Sequence, residues 1–478
     1  MEARRPPVPG MTGARPLLRF AWVTSVAVAA SGCAALLAVP DLTFDEAAEQ
    51  GQPDGSLDGL AEGASPVDGG GVEGGDAATP AVPEATALLE ITGPSALRPY
   101  GVATLSPSDA VLVGADGFDD AGADRNAIAL RLGLSGSVKW AKRFSGASND
   151  QFLVLATSGA TLHALGVTRT VYTGPTRNTD VLWVQLDASD GSTMASRHLG
   201  TDTDDDVFSA VVQPDGIVLS GHTNNGEDAY LTKLTAAGAA TWARRWSTAG
   251  SESLQWLGAA QDGFVAAGFS SVTAGGTVSP VLTKVDAAGD HVWSRRIAGL
   301  VGVGRFFTGA PTSDGYVLAG AVATTAGGME VPFALKVSSD GSTLAWAKAY
   351  VGAGAGAFRS ATLVPADATY GFPETAALSG TAGNAAVVAR ISTADGSLIA
   401  ARSIAKTPGA FVSERELLFQ RVEGGFGFFF RSFPDAPKVG LALPNRFLEI
   451  PGCSLVVASS LGAADLAGLT SEPLIPAV

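Results

Sequence analysis

The residues of this chain with the widest chemical reach are four histidines, two acidic runs, two glycine-rich runs and two cysteines. The histidines are His163, His198, His222 and His291. None belongs to H-E-x-x-H or to another metal-binding spacing, so placement on strands or at the surface is expected. Thr201–Asp206 (TDTDDD) and Asp116–Asp120 (DGFDD) place several carboxylates on short loops, as calcium sites do. Neither follows the EF-hand spacing, and solvated acidic loops are expected. Gly299–Gly304 (GLVGVG) and Gly352–Gly356 (GAGAG) look phosphate-cradling. A dinucleotide fingerprint must follow a strand and open a helix, whereas these runs fall between repeats and read as loops. No G-x-S-x-G elbow occurs. The sequence therefore assigns no catalytic residue, no metal ligand and no cofactor-binding residue.

Composition sets the frame. The 478 residues allow two or three ordinary domains or one large repeat domain. With 60 glycines, 16% charged residues and 46% apolar residues, the chain is too hydrophobic for general disorder. Short apolar runs punctuated by glycine suit an all-β chain. A net charge of −15 argues against a nucleic-acid partner, because phosphate binding needs a Lys/Arg surface.

The N-terminus reads as an export signal. Arg4, Arg5, Arg15 and Arg19 precede the apolar run Phe20–Ala30, which is too short to span a membrane. The run ends Ala30-Ser31-Gly32-Cys33, which resembles the lipobox of bacterial lipoproteins. That resemblance implies acylation of Cys33 and a mature chain starting there. Ala30 departs from the usual Leu. The alternative is cleavage after a small residue, which leaves Cys33 a plain thiol. Ala34 follows the Cys, and a residue other than Asp there implies the outer membrane. If Cys33 is lipidated, Cys453 stands alone and the fold is held by its core; otherwise a Cys33–Cys453 bridge stays open. Residues 34–86 are rich in Gly, Pro, Ala and acids, with no Lys or Arg. They read as a flexible tether with a mean reach of about 40 Å.

The rest of the chain repeats. A second-strand motif recurs at Asp109–Gly114, Ala160–Gly166, Asp215–Gly221, Asp262–Gly268, Asp314–Gly320 and Thr375–Gly380, with a looser copy at Gly424–Phe430. The period of roughly 50 residues is that of propeller blades. A third strand follows each motif, then a Gly-containing turn, then a fourth strand with an apolar–cation–apolar face. Trp140, Lys142 and Phe144 form one such face. Trp242, Arg244 and Trp246, then Trp293, Arg295 and Ile297, then Trp346, Lys348 and Tyr350 form others. Ala195, Arg197 and Leu199, and Ala400, Arg402 and Ile404, keep the pattern without Trp. On an outermost strand the cation stem covers the apolar face while its charge stays wet and deters edge pairing. An aromatic opens the next unit at Phe152, Phe208, Trp256, Phe306, Phe358 and Phe411.

These units resemble the repeats of quinoprotein-like bacterial β-propellers, in D-G-x-V-x-x-G and in Asp286…Gly289…Trp293 and Asp340-Gly341…Trp346. The resemblance implies an all-β fold, a single propeller over residues 87–460 with six to eight four-stranded blades, and the count of repeats gives seven. Ala87–Gly93 is expected as the outer strand of the last blade, which would close the ring. Residues 461–478 form a tail with no clear place. Trp140, Trp242, Trp293 and Trp346 read as structural repeat residues. Family enzymes also imply a quinone site with a stacked Trp, a calcium carboxylate cluster and often a vicinal disulfide, but this chain has no adjacent cysteines.

Turns between strands one and two, and three and four, are short. Connections on the opposite face are longer and vary, as at Asp116–Asn126, Thr168–Asp180 and Ala323–Pro332. Binding is expected on that long-loop face. The reading is a monomeric, outer-membrane lipoprotein propeller that binds a protein or glycan. The alternative is a quinoprotein-like or carbohydrate-active enzyme with its site at the channel mouth.

Overall fold

The computed structural model describes residues 97–404, apart from 107, 117–124, 134–136, 145–148, 170–178, 202, 224–225, 248–249, 272–276, 353, 367–372 and 384. Beyond that span it describes 36–38, 45–47, 87–91, 417–420, 426–432, 438–443, 456–459 and 461–473. The export signal, Cys33, Phe411, Cys453 and most of the tether lie outside the described residues.

The chain is all-β and forms a single β-propeller. Blade one is Leu97–Ser106, Asp109–Asp116, Asn126–Gly133 and Val138–Phe144. Blade two is Gln151–Ser158, Thr161–Arg169, Thr179–Asp187 and Thr193–Leu199. Blade three is Asp206–Gln213, Gly216–Thr223, Asp228–Thr235 and Ala240–Trp246. Blade four is Glu252–Ala260, Gly263–Ser270, Ser279–Asp286 and His291–Ala298. Blade five is Gly304–Thr312, Gly315–Ala323, Glu330–Ser338 and Leu344–Val351. Blade six is Gly356–Val364, Thr375–Ala382, Ala385–Ser392 and Leu398–Ile404.

The structure thus has six blades of four consecutive strands, where seven were expected. The reason lies in where the chain goes after Leu443. Among the described residues, the next strand, Val456–Ala458, joins the outer edge of blade six rather than pairing with Lys438–Leu443. The remaining sheet is composite. It holds Leu417–Gln420, Phe426–Ser432 and Lys438–Leu443, and its next strand is Ala87–Ile91, antiparallel, with Ile91 opposite Val439. Leu417–Gln420 touches the innermost strands of blades one and six.

The repeat motifs have physical reasons. The closing glycine of each second strand faces the backbone of the innermost strand. A Cβ at Gly221 would collide with the carbonyl oxygen of Asp206, and one at Gly320 with that of Arg305. The opening Asp of the motif reaches a cation on the third strand: Lys233–Asp215 at 2.7 Å, Lys284–Asp262 at 2.6 Å and Lys336–Asp314 at 2.7 Å. That cation stands directly opposite the fourth-strand Trp, as Lys233 opposite Trp242 and Lys336 opposite Trp346. Blades one, three, four and five therefore each carry one row of acid, cation and indole across three strands. The lysine hydrogen bond holds the carboxyls of Asp215 and Asp262 below the usual carboxylate value.

The same indoles join neighbouring blades. The turn glycine between strands three and four packs on the Trp of the blade before it. A Cβ at Gly289 would meet the Trp242 ring at 2.6 Å, and its φ of 81° also favours glycine. Gly191 stands in the same way against Trp140, and Gly396 against Trp346. Blade two lacks a fourth-strand Trp. Trp183 on its third strand fills the place, wholly buried against Gly238 of blade three. The buried apolar side chains accordingly form layers between successive blades, such as Phe306, Phe333 and Leu282 between blades four and five. Phe306 and Phe333 stack at 5.5 Å.

The tail that had no place forms edge strands. Val456–Ala458, Gly462–Asp465 and Thr470–Pro473 add antiparallel to the outer strands of blades six, five and four in turn. Near the other end, Asp45–Ala47 adds parallel to blade one and Leu36–Ala38 to the composite sheet.

Candidate binding face

The innermost strands contact one another from blade to blade and line the channel. Each of the six carries a β-bulge at the same place, between Pro99 and Gly101, Phe152 and Val154, Val207 and Ser209, Leu254 and Trp256, Phe306 and Thr308, and Phe358 and Ser360. The residues that the register skips are Tyr100, Leu153, Phe208, Gln255, Phe307 and Arg359. A bulge leaves one residue out of the ladder and re-aims its side chain. All six lie near the start of their strands, hence by the mouth on the long-loop face. Tyr100, Phe208, Gln255, Phe307 and Arg359 are half-buried. A side chain on an innermost strand meets water only through the channel or its mouth.

Two of these residues meet across a blade boundary. The Arg359 guanidinium lies 3.8 Å from the centre of the Phe307 ring, a cation–π contact between blades six and five. The Phe208 ring meets His222 edge-on at 5.0 Å. His222 Nε2 is 2.9 Å from Asp206 Oδ2, so an imidazole–carboxylate pair borders the aromatic wall. On the same face, Val301 and Met329 are 68% and 70% exposed, large values for apolar side chains. Their two connections adjoin, since a Cβ at Gly302 would meet the Ala323 Cβ at 2.8 Å.

The acidic run 201–206 is built into the fold rather than solvated. Asp205 is buried and accepts from Thr201 N at 2.6 Å and Thr201 Oγ1 at 3.0 Å. Asp204 accepts from the Thr179 backbone N–H at 2.8 Å, as Asn149 does from Arg125 in the preceding connection. Burial, then the neighbouring charge of Asp205, raises the Asp180 carboxyl above its ordinary value. Asp116 pairs with Arg143 at 2.5 Å and accepts from Asn126 N at 3.1 Å; the rest of its acidic run is outside the described residues. Among the described residues no group of three or more His, Cys, Asp or Glu is placed to hold a metal ion.

The histidines do not converge. His163 is buried and its Nδ1 accepts from Trp183 Nε1 at 3.2 Å; burial lowers its pKa. His198 is exposed on the outer strand of blade two. His291 contacts Ser294 Oγ at 2.9 Å in blade four. The glycine runs are blade connections, with Gly299 against the backbone of Gly468 in the C-terminal edge segment. Trp140 and Trp346 are buried on outer strands, while Trp242 and Trp293 are half-buried. A gap of about 30 Å³ between blades three and four, beside Glu252 and Ser270, has room for one water rather than a ligand.

One alignment needs correcting. Phe152, Phe306 and Phe358 stand opposite the closing glycines, but Phe208 is a bulge residue and Trp256 lies just past one. Val207 and Leu254 hold the equivalent places, and in those two blades the aromatic stands one and two residues further along the strand. The bulge ring itself was missed, since its members share no residue type.

No protein-family model and no curated protein matches the chain. Among solved structures it is similar to the Neurospora crassa Pan2 WD40 domain, at 11% identity and a TM-score of 0.43 over 73% of this chain and 91% of that one. Chaetomium thermophilum Sqt1 is similar at 13% identity and 0.43, over 73% and 94%. A variant of Synechocystis apocarotenoid oxygenase is similar at 10% identity and 0.41, over 77% and 96%. The strand pairings themselves establish the β-propeller.

Proposed function

We propose that the chain is an exported lipoprotein, acylated at Cys33, whose propeller binds a protein or glycan at its channel mouth on the long-loop face. The observation that carries the binding role is the bulge ring. Six blades keep one backbone device and vary the residue it presents: Tyr100, Leu153, Phe208, Gln255, Phe307 and Arg359. A constant scaffold with a varied, half-buried aromatic and polar lining suits recognition of one asymmetric ligand. Phe208 and Phe307 offer flat apolar faces to sugar rings or side chains, and Arg359, held over Phe307, offers directed donors. The exposed Val301 and Met329 extend the apolar surface outward.

The export signal and the Ala30–Cys33 motif support the anchor, Ala34 supports the outer membrane, and the acidic linker supports a tethered, monomeric body. The composite sheet serves as a closing seventh unit between blades six and one, which leaves no open inner edge. The repeats are of the quinoprotein-like type, used here as a scaffold.

The test is binding of short glycans and peptides, presented as arrays, to the full chain. Binding should fall at least tenfold in the Phe307→Ala, Arg359→Ala double variant, with an unchanged melting temperature, as expected when about 1.4 kcal/mol or more of contact is lost. Binding indifferent to both residues, or no ligand at all, contradicts the proposal. Mass spectrometry of the mature N-terminus tests the anchor separately; an unmodified Cys33 would refute it.

A further inference from the structure

Three of the edge strands at the chain ends, those on blades one, four and five, set acids opposite outer-strand cations. Outer strands of the blades carry two adjacent side chains at equivalent positions: Lys142 and Arg143 in blade one, Arg295 and Arg296 in four, Lys348 and Ala349 in five. The added strands answer with acids in register. Asp465 stands opposite Lys348, with Oδ1 2.5 Å from Nζ. Glu472 stands opposite Arg296, with Oε2 3.1 Å from Nη2. Asp45 and Glu46 stand opposite Lys142 and Arg143.

Blades two and three are the sheets with four strands, and among the described residues nothing pairs with their outer strands. Those strands carry cations at the same positions. In blade two they are Arg197 and His198, both exposed. In blade three they are Arg244, 2.8 Å from Asp290, and Arg245, 3.6 Å from Asp228 with its side chain 64% exposed. We propose that the adjoining outer edges of blades two and three bind an extended acidic segment of a partner protein by antiparallel strand addition.

Cations on an edge strand ordinarily deter pairing between copies. Blades one, four, five and six carry such cations and nevertheless hold a strand, and in blades four and five that strand's carboxylates pair with them. The cations therefore do not exclude an incoming strand, and they pair with the acids it brings. Main-chain hydrogen bonds would supply affinity and the acid–cation pairs specificity, as in other strand-addition complexes. The backbone contacts have a template here: Leu466 N donates to Ala347 O at 3.0 Å, and Ala243 holds the equivalent place in blade three. The Arg244 guanidinium also donates to Ala243 O, at 3.1 Å. In blade six, Ala401 O accepts from both Arg402 and Ser459 N, so that contact leaves room for a strand.

The test uses the full chain and a synthetic peptide copying residues 461–473, followed by amide hydrogen exchange. The peptide should slow exchange along Thr193–Leu199 and Ala240–Trp246. A peptide carrying Asp465→Lys and Glu472→Lys should not. In an R197E/R245E protein the peptide should bind about tenfold or more weakly, the scale of losing one charge-assisted contact. Equal slowing by both peptides overturns the proposal. So does slowing confined to blades four and five, which would mean exchange with the resident strand, or no slowing anywhere at millimolar peptide.

Discussion

The indole N–H of Trp140 donates to the carbonyl oxygen of Ala188, 3.0 Å away in the next blade. Trp346 does the same to Thr393 at 3.1 Å. These side chains bridge sheets as well as cover them. Trp242 occupies the equivalent strand position, yet its indole nitrogen is buried without a partner among the described residues. The four repeat tryptophans therefore share a place but not an energy. Trp140→Ala and Trp346→Ala should each cost about 3–5 kcal/mol, in the range of large buried truncations. Trp242→Ala and Trp293→Ala should cost visibly less, because those rings are half-buried. Thermal melts of the four variants give the order; a Trp242 variant falling furthest contradicts this account of the blade contacts.

His163 makes stability depend on pH. Its imidazole accepts a hydrogen bond from Trp183 and is buried, so burial holds its pKa below the ordinary value of 6.5. While both states are neutral the group contributes no slope. Once pH falls below the unfolded value, the unfolded chain takes the proton first and the fold loses stability. His291, also lowered by burial, acts in the same sense. Unfolding stability should therefore decline as pH drops from about 6.5 to 5, and His163→Gln should reduce that decline. Denaturant titrations at several pH values measure it, and an identical slope in wild type and variant contradicts the buried, neutral assignment.

Gly221 tests the backbone reason for the repeat. Its φ is not in the left-handed region, so the demand comes from the Asp206 carbonyl lying where a Cβ would be. Gly221→Ala should cost about 1–3 kcal/mol, as overpacking does. Gly159, a turn glycine with no neighbouring atom around its Cβ position, lies in the left-handed region at φ 58° and should lose only the smaller conformational amount, about 1 kcal/mol, on change to Ala. Chemical denaturation of the two variants compares them. An equal or reversed order counts against the close approach of strands one and two.

How far the sequence led depended on whether a feature has its own residue type. The closing glycines, the Asp of the turn and the fourth-strand Trp are fixed in type by steric or ionic demands, so their spacing revealed the blades. The partner cation Lys233 was also in plain view, but its link to Asp215 runs across strands 18 residues apart and has no local signature. Phe208 and Trp256 fall one and two residues past the place that Phe152, Phe306 and Phe358 hold, since an aromatic in roughly the right position satisfies a count of periods whichever strand position it occupies. The edge strands at the termini are three or four residues long, too short for any alternation to show. Asp465 and Glu472, read as part of the tail, meet the outer-strand cations Lys348 and Arg296.

The central claim is that ligands meet the long-loop mouth. A photoreactive amino acid can replace Phe307 or Phe208 at that mouth, or Val292, which is 49% exposed on the opposite face. Irradiating cells that produce each full-length variant, and resolving the adducts by mass spectrometry, compares the two faces directly. The account predicts a discrete adduct from Phe307 and Phe208 that is lost when Arg359→Ala is added, and none from Val292. Adducts from Val292 alone, or adducts at the mouth indifferent to Arg359, would contradict it.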